Sequence, residues 1–229
     1  MDTETVWPFA VSSSDHPKKG ACVLTALSWL VYGDLNDQPA CVSEVIAEVV
    51  RSVNDLLPDE RRQHLKGYIP RLIDTTDSDA IERRRLSYVH RHIIEELFPQ
   101  GLIAAGLDYL VPVLRKLGPT SLIRLKPFID EIVCQALRDP SWPDAAMALL
   151  QIRIERGLWN PNGLTAPETI GSMLESIALA IRLSPQMASE FYDGLLQLLD
   201  GVLQIGRGGI RRIDDAVMEE RIQAFVRAA

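Results

Sequence analysis

Between Val42 and Val53 the apolar residues Val42, Val45, Ile46, Val49, Val50 and Val53 recur at intervals of three and four, with Ser43, Glu44, Glu48 and Arg51 between them. That spacing gives a helix one buried face. The β-branched side chains suit a strand, but the run is too long for one and does not alternate. The same helical spacing returns at Leu86, Val89, Ile93, Ile94 and Leu97, and again at Phe191, Leu195, Leu198, Leu199 and Val202. No stretch shows the period-two pattern of a half-buried strand. The sequence predicts an all-α chain, a multi-helix bundle or irregular helical array of about nine to ten helices without a significant sheet.

Punctuation places the elements. Residues 1–19 read as an irregular lead-in, because Pro8, the Ser12–Ser14 run and Pro17 disfavour a helix start. A first helix over Gly20–Tyr32 closes at Gly33, and a second opens near Pro39–Ala40. Pro58, Asp59 and Glu60 suit the start of a third, which Pro70 kinks or ends. The loop Asp74–Asp79 offers N-caps for a long helix near 78–98. After Pro99 the spacing predicts a helix through Leu102, Leu107, Leu110, Val111 and Leu114, and another through Leu122 to Val133. A further one follows from Trp142 to Arg156. Asn160-Pro-Asn-Gly163 is the strongest turn cluster. We therefore divide the chain into a main helical domain, 20–157, and a C-terminal helical segment, 158–229, packed on it. That segment carries helices near 167–183 and 185–205, then Gly206-Arg-Gly-Gly209 as a hinge, then a last helix Ile213–Val226.

Composition narrows the function classes. With 47% apolar and 24% charged residues among 229, the chain is an ordinary globular one. Aromatic residues are only 6%, too few for the stacking platforms of single-strand nucleic-acid binders. A net charge of −7 also argues against nucleic acid or an anionic membrane surface. Two runs depart from that balance. Arg61, Arg62, Lys66 and Arg71 have no acid among them, nor do Arg83, Arg84, Arg85 and Arg91. Cys22, Cys41 and Cys134 are odd in number and widely spaced, which is no disulfide framework. There is no basic start leading into an apolar run, and charge interrupts every apolar stretch short of a membrane span. The expected location is the cytoplasm.

Candidate chemistry is sparse. Cys22 and Cys41 stand at helix starts, where a thiolate is favoured, yet Ala21, Val23, Ala40 and Val42 flank them as a core would. Glu60 and His64, and His92 and Glu96, have the four-residue spacing of a metal pair. A carboxylate-bridged di-iron bundle needs Glu-x-x-His on each of two helices, and the chain has none. Asn54-Asp55 with Glu60, and Asp214-Asp215 with Glu219, sit at helix ends where acids serve as caps. Nucleotide-loop, serine-nucleophile and zinc-protease motifs are absent. No residue is assigned a catalytic, cofactor-binding or metal-binding role.

Gly20-Ala-Cys22, Asp37-x-Pro-Ala-Cys41, Asn54-Asp55, Asp59-x-Arg-Arg-x-x-Leu65 and Arg71-Leu-Ile73 resemble a module of uncharacterised bacterial helical proteins. The resemblance implies that this segment is one unit and carries no activity with it. Read physically, Asp37 and Asn54 tie the loop to helix ends and Arg62 or Arg71 pairs with Asp55, forming a polar seam. The candidate interaction residues are Asp37, Asn54, Asp55, Arg61, Arg62, Arg71, Arg84 and Arg91.

Three functions fit. The first is a non-catalytic protein-interaction adaptor or structural subunit of a bacterial assembly, with itself or another protein as partner. The second is a small-molecule enzyme with its site near Cys22, Cys41, Asn54 and Asp55. The third is a nucleic-acid accessory role through the basic runs from Arg61 to Arg91, which the acidic net charge disfavours.

Overall fold

The computed structural model describes residues 21–117 and 168–206, together with 216, 217, 220, 221 and 223. Among them the chain is mostly helical and contains no strand. The helices expected over 122–133 and 142–156, the turn cluster at 160–163, and residues 1–19 lie outside the described residues. The chain divides into two compact units, one of Met1–Arg85 with Leu199–Ala229 and the other of Leu86–Leu198. The division falls inside two helices.

In the first unit, α1 (Val23–Tyr32) ends where Gly33 takes a left-handed φ of 79° and its N–H reaches the Trp29 carbonyl. Helix α2 spans Glu44–Leu56, later than the start expected at Pro39–Ala40. Its beginning is set by Ser43, whose Oγ accepts from the Ile46 N–H at 3.3 Å. Val45, Ile46, Val49, Val50 and Val53 are buried against α1, which also packs on α4 (Ile69–Leu72). The expected third helix is broken. A short α3, Asp59–Arg62, passes into a 3₁₀ turn, Gln63–Tyr68, before α4, because Gly67 and Pro70 cannot sustain an α ladder. Ser43 also donates to Glu82 at 2.7 Å. Ser43→Ala is therefore expected to cost about 1–2 kcal/mol, a cap plus a hydrogen bond. Ser43→Thr should recover most of it in thermal unfolding.

In the second unit, α5 (Asp79–His92) does not stop near Pro99. It runs through a π turn, Ile93–Leu97, into α6, Phe98–Ala104. Pro99 has no N–H, and in a regular helix its ring would strike the Glu95 carbonyl. The wider turn removes that conflict, so the helix continues where the sequence predicts an end. Gly106, at φ 73°, closes α6, with the Leu107 N–H on the Leu102 carbonyl and the Gly106 N–H on the Ile103 carbonyl. The single helix expected through Leu102–Leu114 is instead α6, a 3₁₀ turn at Asp108–Leu110, and α7, Val111–Leu117, with Pro112 in its first turn.

Helices α8 (Glu168–Arg182) and α9 (Ala188–Leu203) follow the spans expected for them, α9 preceded by a 3₁₀ turn at Pro185–Met187. In this unit α8 packs on α6 and the π turn. Its core includes Val89, Ile93, Leu97, Leu102, Leu174 and Phe191. Gly194 allows α9 to come close, for a Cβ there would stand 2.6 Å from Leu97 Cδ2.

Candidate functional site

The most deeply buried cation among the described residues of the first unit is Arg85, 1% exposed although it sits in one of the basic runs. Its Nε donates to the Ile205 carbonyl at 2.9 Å, and its Nη1 donates to the Thr75 carbonyl at 2.6 Å and to Glu82 Oε1 at 2.5 Å. The other carboxylate oxygen of Glu82 accepts from Ser43 Oγ. The Ser43 N–H donates to Thr75 Oγ1 at 3.0 Å, and Thr75 Oγ1 donates to the Leu72 carbonyl at 2.8 Å. The Thr75 N–H and the Thr76 hydroxyl bond the carbonyls of Cys41 and Ala40, both at 2.9 Å. Four pieces of chain, 40–43, 72–76, the start of α5 and the end of α9, are thus held by one buried cation. A buried charge persists only when paired and hydrogen-bonded, and this one is both.

Three further arginines are engaged within the unit. Arg62 is buried at the end of α2, where Nε and Nη2 each donate at 2.6 Å to the carbonyls of Asn54 and Leu57, satisfying acceptors the helix terminus leaves open. Its Nη1 pairs with Asp59 at 2.5 Å. Arg71 pairs with Asp200 at 2.7 Å while lying 5.0 Å over the Tyr68 ring, and the Tyr68 hydroxyl donates to the same carboxylate at 3.1 Å. Burial, then the Asp200 charge, push Tyr68 up to about 12. Arg51 pairs with Glu48 and stands 3.8 Å from Asp37.

These pairings revise the expected seam. Arg62 and Arg71 pair with Asp59 and Asp200, not with Asp55. The exposed Asp55 accepts instead from its neighbour, Asn54 Nδ2, at 3.3 Å. Asp37 does tie its loop to α2, through Arg51. Cys22 and Cys41 are both buried, Cys22 at the N-terminus of α1 and Cys41 just before α2. Asn54 and Asp55 lie in the last turn of α2, about 15 Å of helix away from Cys41. Cys41 is thus separated from Asn54 and Asp55 by nearly the length of α2. Tyr32, 47% exposed, is pushed up to about 12 by its side-chain interaction with Cys41 and by burial. Among the described residues no group of three or more His, Cys, Asp or Glu draws together as metal ligands would. Cys134 and Asp214-Asp215 lie outside the described residues.

The cations left on the surface of the described residues include a set on α5. Arg83, Arg84 and Arg91 are exposed and make no ion pair among the described residues. Glu82, the acid nearest to Arg83 in sequence, is turned inward to Arg85 and Ser43. Arg61 is half-buried and engaged.

The arginine node is absent from the expected site residues. One signal for it is in the spacing: Arg85 stands four and eight residues before the buried Val89 and Ile93, on the same side of the helix. Counting arginines as a run of charge conceals that Arg85 is interred while Arg83, Arg84 and Arg91 face water.

No known protein family, curated protein or solved structure matches this chain.

Proposed function

We propose that the chain is a non-catalytic protein-interaction component, an adaptor or structural subunit of a larger bacterial assembly, acting in the cytoplasm. One observation carries the reading, the exposed pair Arg83 and Arg84, without ion-pair partners among the described residues, on a helix fastened from behind by Arg85. Four other arginines of the same unit are spent on internal pairs. The two that are not present uncompensated charge from a rigid support, which suits recognition of carboxylates on a partner protein. Among the described residues no helix is long and apolar enough to cross a membrane.

The test is a pull-down of tagged full-length chain from its native host at low salt, read by mass spectrometry beside Arg83→Glu/Arg84→Glu. A stoichiometric protein partner is expected, reduced at least about tenfold by the double reversal, as loss of two interfacial charge pairs implies. An empty wild-type pull-down, or equal recovery by the variant, would count against the reading. Binding to single- or double-stranded nucleic acid that weakens steeply with salt would assign the same arginines to phosphates instead.

A further inference from the structure

The outer face of α5 holds more than the pair Arg83 and Arg84. Ala80, Arg84, Ser87 and Arg91 are all exposed and follow one another at intervals of four, three and four residues. At about 100° per residue that spacing keeps them within about 60° of arc, in one row along the helix. Short and basic side chains alternate along it. Arg84 has Ala80, Ile81, Ser87 and Tyr88 three and four residues away, the positions where a solvated helix face sets its counter-charges. Glu82 is turned inward to Ser43 and Arg85, and the next acid along, Glu95, belongs to the π turn beyond α5.

Intervals of three and four are what one helix offers another along a packing seam. Ala80 and Ser87 are short enough for a second helix to approach to about 8 Å between axes, the near end of the usual range. Arg84 and Arg91, seven residues apart, stand about 10.5 Å from one another along the axis. Carboxylates seven residues apart on a facing helix repeat at the same distance of about 10.5 Å. On an extended strand, same-face carboxylates repeat at about 7 or 13 Å and match one arginine at a time.

We propose, resting on the reading of the chain as an interaction component, that this row docks an acidic helix of a partner protein. Carboxylates seven residues apart on that helix meet Arg84 and Arg91, and its backbone lies close over Ala80 and Ser87. Arg83, beside the row, adds charge without setting the register.

Two labelled alanine-based helical peptides of one composition test this, by fluorescence anisotropy with the full-length chain at low salt. One places three glutamates at intervals of seven, and the other spreads them around the helix. The first is expected to bind at least about tenfold more tightly. Arg91→Glu should remove that preference. So should Ser87→Phe, which leaves every charge in place but holds the second helix away. Ser87 is exposed, so the variant should keep the helical content of the wild type by circular dichroism. Equal binding of the two peptides, binding of neither, or undiminished binding by Ser87→Phe would overturn the docking row. The pull-down with Arg83→Glu/Arg84→Glu would then still stand or fall on its own result. Tighter binding of single-stranded DNA than of either peptide would assign the face to phosphates. A dimer of the chain that Arg91→Glu abolishes would assign it to a second copy, and either outcome overturns the proposal.

Discussion

Arg85→Met is expected to destabilise the first unit by about 3 kcal/mol, the low end of the cost of breaking a buried ion pair by removing one partner. The substitution keeps the side chain's length and apolar stem. It leaves the Thr75 and Ile205 carbonyls and a Glu82 oxygen without the donor that binds them. The low end applies because Glu82 is 25% exposed and can recover water, whereas the buried Thr75 carbonyl cannot. Urea unfolding, with hydrogen exchange of α2 peptides to assign the loss to this unit, measures the effect. Arg84→Met, one residue away and facing solvent, should stay within about 0.5 kcal/mol of wild type. Equal effects at the two positions would mean that the node contributes nothing particular.

The second large effect is expected at Gly206, which closes the other side of the same node. Its φ of 97° is a conformation L side chains rarely adopt. A Cβ there would lie 2.7 Å from Arg85 Nη2, 2.8 Å from Ile81 Cγ2 and 3.0 Å from Asp77 Oδ2. Backbone strain and overpacking act together, so Gly206→Ala should cost about 2–4 kcal/mol. The guanidinium is pinned by its hydrogen bonds and cannot swing aside cheaply. In the Arg85→Met background the closest of those atoms is gone, and Gly206→Ala should then cost about 1 kcal/mol less. Strict additivity of the two substitutions would show that the clash is relieved elsewhere.

The all-helical class was legible because helical apolar spacing is long-range and redundant: α2, α5 and α9 each repeat it several times over. Helix ends were legible where one residue's chemistry decides them, as at Gly33. Starts fixed by a side chain's tertiary partners were not. Ser43 caps α2 partly because Glu82 and Thr75 hold it, and neither can be paired with it from sequence. Pro99 misled for a related reason. Proline forbids the α ladder but permits a π turn, and which of the two follows depends on how the flanking segments are held.

The arginines show the same limit. Arg62, Arg71 and Arg85 look alike in a charge run, yet one caps a helix end, one bridges to a residue 129 positions on, and one is interred. Helical phase separates Arg85 from Arg84. No local signal connects Arg71 to Asp200.

The π turn has a consequence for what lengths of chain this protein can tolerate. Each residue added to or removed from a helix turns everything beyond it by about 100°. The stretch from Val89 to Leu102 works only with the extra residue that the turn absorbs, since Leu102 is 1% exposed and the next residue, Ile103, is 44% exposed. Losing one residue there while the π turn keeps its geometry would bring the wrong side of α6 against α8, exchanging a leucine that fits for an isoleucine that does not. Substitutions across these fourteen positions can drift with only local effect. Their number cannot, so the spacing is held as firmly as any side chain in the unit.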